Sequence, residues 1–149
     1  MGVVEWARRS VPMLEHPEFG PLRASERGDG GPWLWEALDL HHTPRGDADL
    51  GFEAGASGPG PSHGAQLEEV IADLDPLTAA AAPMIDASLG GWFKQSLAED
   101  PWAELEWHGA LLTGSPGAFR LHYSCRTCPE AMITVIFAAS RPVDVQIDH

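Results

Sequence analysis

The most regular pattern of hydrophobic and polar positions lies in the last third of the chain. Between residues 103 and 111 every odd position is apolar or glycine, and positions 104, 106 and 108 are polar. The same alternation recurs over 119–124 and 143–148, whereas 132–138 is apolar at nearly every position. A period of two is typical of a strand with one buried face, and a continuous apolar run is typical of a central strand. We therefore predict a four-stranded antiparallel meander with one dry face.

The middle of the chain changes to helical spacing after the Gly- and Pro-rich segment 55–61. The apolar positions that follow recur every three or four residues and comprise Leu67, Val70, Ile71, Leu74 and Leu77. This spacing predicts an amphipathic helix with Ser62 as its N-cap, and Pro76 is expected to kink or end it. Pro83 suits the first turn of a second helix that reaches Leu97.

The first third contains shorter elements. An apolar stripe predicts a short helix over residues 3–14, and alternation predicts strands over 19–24, 33–40 and 48–53. Segments 26–32 and 41–47 contain Gly and Pro and are expected to be a turn and a loop. A chain of 149 residues fits a single domain, 1–149. The predicted fold class is α+β: an antiparallel sheet of about six to seven strands with two central helices packed on one face.

Charge narrows the possible partners. The chain has 22 acidic and 9 basic residues. The segment 68–106 contains nine acidic residues and one basic residue, Lys94. Such a surface repels nucleic-acid phosphates and anionic lipids, so we expect neither a nucleic acid nor a membrane as partner. It favours a basic protein partner. The candidate partner-binding residues lie on the predicted helix and on the first strand of the meander: Glu68, Glu69, Asp73, Asp75, Glu104 and Glu106.

Other sequence features concern the compartment. No apolar stretch approaches the ~20 residues that cross a bilayer. Glu5 and the absence of a following apolar run argue against a secretory signal. Two cysteines are too few for a secreted disulfide scaffold. These features predict a cytoplasmic protein, and they leave the oligomeric state open.

Two histidines form a candidate metal site. If the turn over 113–117 closes a regular hairpin, His108 faces His122 with their Cβ atoms roughly 5 Å apart. Glu106 then lies diagonally nearby, and two His with one Glu could hold a divalent metal such as zinc. The favoured interpretation is simpler: two exposed strand histidines and no cofactor.

Two cysteines form a candidate redox pair. Cys125 and Cys128 have the C-x-x-C spacing of a thiol–disulfide couple or of half a zinc site. A redox couple of this kind usually opens a helix, whereas a hairpin turn is predicted here. Alternation with Tyr123 turns Cys125 inward, so the favoured interpretation is a structural cysteine.

Motifs for enzymatic chemistry are missing. The chain contains no G-x-S-x-G nucleophile elbow, no P-loop and no G-x-G-x-x-G that follows a strand. We therefore assign no catalytic residue and leave enzymatic activity undecided, with a small enzyme lacking a recognisable motif as one alternative. The main hypothesis is a non-enzymatic acidic protein-binding domain, and a metal-binding or redox protein is the other alternative.

Two short motifs carry a resemblance. The chain opens its first strand with His16-Pro17-Glu18-Phe19-Gly20 and enters its helix through 58–62 (Gly-Pro-Gly-Pro-Ser). Together with a Trp-containing strand and the ending 141–145 (Arg-Pro-Val-Asp-Val), this resembles a family of small uncharacterised bacterial domains with an H-P-x-F-G start. Such domains resemble toxin-immunity proteins in size, acidity and layout. The resemblance implies an immunity-like role and supplies no catalytic residues; the favoured role of the first motif is a structural strand entry.

Overall fold

The computed structural model describes residues 12–25, 32–90 and 100–148. Within these ranges one mostly antiparallel sheet of nine strands is accompanied by two α-helices and a short 3₁₀ helix. In chain order the elements are β1 (Met13–His16), β2 (Gly20–Ser25), β3 (Trp33–Ala37), β4 (His41–Thr43), β5 (Gly46–Ala54), α1 (Pro61–Ala72), α2 (Leu74–Ser88), the 3₁₀ helix (Pro101–Ala103), β6 (Leu105–Leu112), β7 (Phe119–Cys125), β8 (Cys128–Ala138) and β9 (Arg141–Asp148).

The sheet is built from two antiparallel halves. Its strand order is β1-β2-β3-β5-β6-β7-β8-β9, and β4 pairs with the beginning of β5. The halves meet at β5 and β6, which run parallel with Asp49 opposite Gly109, and α1 and α2 form the connection between them. The predicted α+β class and the predicted four-stranded meander are confirmed.

The strand count is higher than the predicted six to seven. The additional strands are β1, which contains Met13 and Leu14 from the end of the predicted first helix, and β4, which lies in the predicted loop 41–47. β4 forms because the turn at Pro44 and Arg45 brings Thr43 opposite Gly46, where the Thr43 hydroxyl donates to the Gly46 carbonyl at 2.7 Å. Residues 3–11 of the predicted helix and 26–31 of the predicted turn lie outside the described residues.

The helix boundaries also differ from the prediction. Gly60, not Ser62, is the N-cap of α1, and its N–H donates to Nδ1 of His63 at 3.1 Å, so His63 satisfies a backbone donor at the helix start. The break between the helices lies at Asp73, which places Pro76 in the first turn of α2 and Pro83 inside it. The helix ends at Ser88, and the predicted continuation over 91–97 lies outside the described residues.

Both helices contribute to one apolar core on a single face of the sheet. The helix side chains in this core are Leu67, Val70, Leu74, Leu77, Ala81, Ala82 and Ile85. They meet the inward positions of the strands, for example Leu50, Phe52, Leu121 and Ile133. The helices therefore cover the dry face of the sheet. Neither of these two helices lies on the opposite face, which we call the open face.

The segments 16–20 and 58–62 lie in contact. Nδ1 of His16 accepts from the N–H groups of Glu18 and Phe19, at 3.1 and 3.3 Å. These contacts assign the proton to Nε2, which donates to the Pro59 carbonyl at 3.1 Å. His16 thus holds the β1–β2 turn against the loop that enters α1, in agreement with the structural role favoured for the first motif.

One buried hydrogen bond ties α2 to the meander. The hydroxyls of Thr78 and Tyr123 lie 2.7 Å apart, and both residues are fully buried. Burial raises the pKa of Tyr123 above its ordinary range, so the phenol stays protonated. We expect Tyr123→Phe to lower the free energy of unfolding by about 1–2 kcal/mol, because Thr78 loses its partner.

A double-mutant cycle in urea checks this expectation. Tyr123→Phe, Thr78→Val and the double variant should show a coupling of about 1 kcal/mol. If the two single losses of unfolding free energy simply add up in the double variant, the hydrogen bond between the two hydroxyls does not stabilise the fold.

Candidate functional surfaces

The first candidate surface lies on the helices. The range 61–88 contains five acidic residues and no Lys or Arg. Glu68, Glu69 and Asp73 are exposed, and none of the three forms an ion pair within the part of the chain that the structure describes. We name these three residues the acidic helical surface.

Asp75, a predicted partner-binding residue, is already engaged within the chain. Its Oδ1 accepts from Arg45 and from the indole Nε1 of Trp102, each at 2.8 Å. The Arg45 guanidinium also lies 4.1 Å from the centre of the Trp102 ring. The hydrogen bonds from Arg45 and Trp102 lower the pKa of Asp75. Asp75 therefore joins the helices to the 3₁₀ helix. Its carboxylate is already hydrogen-bonded and is not free to bind a partner, as the sequence had suggested it would be.

Glu106 is engaged as well. It forms an ion pair with Arg126, whose other terminal nitrogen lies 3.5 Å from the Trp102 carbonyl. Glu104, next to the 3₁₀ helix, is half-buried, and its carbonyl accepts from the N–H of Arg126 at 2.8 Å. The six predicted acids thus divide into an open group on the helices and a group around Trp102 that is partly neutralised by two arginines.

The second candidate surface is a concavity of about 700 Å³ on the open face of the sheet. Its apolar lining includes Leu34, Leu38, Leu40, Leu111 and Met132. Its polar lining includes Asp49, His108, His122 and Thr134, with the Arg23–Glu36 ion pair at 3.3 Å. The size and the mixture of apolar and polar groups are typical of ligand sites.

Both histidines line this concavity, and a β-bulge prevents them from pairing directly. Trp107 pairs with Tyr123, and the preceding residue of β7, His122, pairs with Gly109. His108 therefore has no partner in β7 and is an extra residue in β6. The predicted direct pairing of His108 with His122 is therefore wrong. The bulge is possible because residue 109 has no Cβ: an ideal Cβ there would lie 2.0 Å from the Asp49 carbonyl oxygen.

Each histidine has a hydroxyl partner. His108 Nε2 lies 2.6 Å from Ser124 Oγ, and His122 Nδ1 lies 3.1 Å from Thr134 Oγ1. Burial lowers the pKa of His122, Arg120 lowers it further, and Asp49 opposes both. The imidazole of His122 is therefore held in its neutral form near neutral pH.

The predicted metal and redox sites are only partly assembled. His108 and His122 share the concavity, but no group of three His, Cys, Asp or Glu within the described ranges is placed to hold a metal ion. Cys125 faces inward as predicted and is fully buried. The backbone of Cys128 pairs with Cys125 across the β7–β8 turn, and the side chain of Cys128 lies outside what the structure describes. Zinc binding and redox activity stay predictions.

Sequence reasoning did not single out three residues of these surfaces. Asp49 lies at an outward position of a correctly predicted strand, but the parallel pairing that brings it beside His122 was not foreseen. Arg45 and Trp102 meet Asp75 across 30 and 27 positions of sequence. No local pattern signals either contact.

Comparisons with known proteins do not add to this geometry. Neither a model of a protein family, nor a curated protein, nor a solved structure matches the chain. In the described ranges, none of the helices has the length and apolar character needed to cross a membrane.

Proposed function

We propose that this protein is a non-enzymatic binding protein that engages a basic protein through its acidic helical surface. The observation that carries the proposal is the charge of the helices: five acids stand in 61–88 without a single Lys or Arg. Elsewhere in the described chain, Glu36 pairs with Arg23 and Glu106 pairs with Arg126. Among the five helical acids, Asp75 pairs with Arg45, whereas the three residues of the acidic helical surface form no ion pair within the described residues. The immunity-like role in the bacterial cytoplasm that the sequence suggested belongs to the same proposal.

Electrostatics supports this choice of surface. Exposed acids without counterions produce a field that extends about 10 Å at 0.1 M salt and raises the association rate of a basic partner. Glu68, Glu69 and Asp73 can each accept hydrogen bonds from Arg or Lys without first breaking an internal pair. Asp75 and Glu106 would first have to release Arg45 and Arg126.

Charge reversal tests the proposal. We expect Glu68→Lys, Glu69→Lys and Asp73→Lys, combined in one bait protein, to abolish capture of a basic protein from the lysate of the producing cells. Capture by the wild-type bait should be strong at about 0.1 M salt and weak at about 1 M salt. Captured proteins are identified by mass spectrometry.

A charge-matched bait provides the control. Glu15→Lys, Glu130→Lys and Asp148→Lys change the net charge equally at exposed strand positions outside the helices. The control bait should retain the basic protein. Equal loss in both triple variants, unchanged capture by the helical variant, or no basic protein on the wild-type bait would each contradict the proposal.

A further inference from the structure

The concavity on the open face of the sheet is separate from the acidic helical surface, because the helices cover the other face. Three large apolar side chains of its lining are well exposed: Leu38 at 47%, Leu40 at 62% and Met132 at 41%. Exposed apolar groups gathered in one concave place indicate a binding site more strongly than the same groups scattered singly. A volume of about 700 Å³ also lies within the range of small-molecule sites.

The charged groups of the lining leave one negative charge uncompensated. Arg23 is held by Glu36 at 3.3 Å, so these two charges balance each other. Asp49 is exposed and has neither an ion pair nor a hydrogen bond from a side chain within the described ranges. Arg120 adjoins His122 but does not line the concavity.

Apolar surface lies directly beside Asp49. Gly51 follows two positions later on the same face of β5, and an ideal Cβ at residue 51 would lie 3.2 Å from a methyl carbon of Leu111. One ligand can therefore place a charged group at Asp49 and an apolar body against Leu111.

We propose that this concavity binds a small organic cation with an apolar body, such as an aryl-alkyl amine. The ammonium group pairs with Asp49, and the apolar body packs against Leu111 and the exposed leucine and methionine side chains. The net charge of −13 draws cations toward the protein from solution. This site is independent of the proposed engagement of a basic protein.

A ligand series tests the charge and the apolar body separately. The probe is 2-phenylethylamine, followed by NMR through the ring signals of His122 and the amide of Gly109. We expect saturable shifts with a Kd of about 1 mM or lower. The neutral 2-phenylethanol, the anionic 3-phenylpropanoate and ethylamine, which has almost no apolar body, should each bind at least about tenfold more weakly.

Variants place the binding in the concavity. Asp49→Asn should weaken binding of 2-phenylethylamine about tenfold, and Leu40→Ser should weaken it several-fold. Glu69→Gln removes one charge from the helices and should leave the Kd unchanged. Equal binding of the amine and the alcohol, an Asp49→Asn variant with wild-type affinity, or no saturable shift would each overturn the proposal. The triple-lysine helical variant should still bind the amine, which separates failure of this site from failure of the protein-binding function.

Discussion

Gly109→Ala is expected to cost at least about 3 kcal/mol of unfolding free energy, at or beyond the upper end of overpacking effects. The added Cβ would lie 2.0 Å from the Asp49 oxygen and 2.9 Å from the Asp49 carbonyl carbon. Both atoms belong to the backbone, so no side-chain rotation relieves the overlap. The β5–β6 pair would have to separate, and it is the strand pairing that joins the two halves of the described sheet.

Two further glycines calibrate this expectation. Gly55→Ala meets no atom within 4 Å and should be neutral or stabilising by up to about 1 kcal/mol. Gly51→Ala approaches only the end of the flexible Leu111 side chain, at 3.2 Å, and should fall between the other two. Urea unfolding of the three variants measures the order. A Gly109→Ala protein within about 1 kcal/mol of wild type would show that the bulge can move without loss.

The meander could be predicted because its information is local. Along β7, alternation places Phe119, Leu121, Tyr123 and Cys125 on one face, and all four are buried. Each of these side chains needs only its own neighbours in sequence to be assigned to a face. The antiparallel pairing of consecutive strands from β6 through β9 could also be predicted, because short turns connect them.

The bulges could not be predicted in the same way. His108 continues the alternation of β6 in the sequence, yet it is the extra residue that shifts the register by one. In β9, Pro142 pairs with Phe137 and Asp144 with Ile136, so Val143 has no partner and is 54% exposed. A period of two contains no sign of an inserted residue; the insertion is decided by the strand that packs alongside.

The candidate surfaces were foreseen to different degrees. Total charge and its position along the chain directed attention to the helices, where Glu68, Glu69 and Asp73 are exposed; their role in binding a partner stays a prediction. The sequence could not separate Asp73 from Asp75, although only Asp75 meets Arg45 and Trp102. The concavity was missed because Asp49 and Met132 lie on β5 and β8, which β6 and β7 separate in the sheet and which share one face only after the chain has folded.

Gln66→Met is expected to lower the free energy of unfolding by about 2–3 kcal/mol, since it removes the acceptor of two backbone N–H groups and one of the two donors to each of two backbone carbonyls. Gln66 is only 4% exposed. Its Nε2 donates to the carbonyls of Ser115 and Ala118 at 2.6 and 3.0 Å. Its Oε1 accepts from the N–H groups of Thr113 and Gly114, both at 3.0 Å. One side chain thereby fastens α1 to the β6–β7 turn.

Methionine has nearly the length of glutamine and none of its hydrogen-bonding groups, so the variant isolates the lost polar contacts from a loss of volume. Gln146→Met makes the same replacement at an exposed position of β9 and should change the stability by no more than about 0.5 kcal/mol. Urea unfolding measures both variants. Hydrogen exchange adds a local measurement, because the amides of Thr113 and Gly114 should exchange faster than those of β8 in the Gln66→Met protein. If both amides stay protected and the loss is below about 1 kcal/mol, then the turn is held by the strands alone and Gln66 merely fills space beside it.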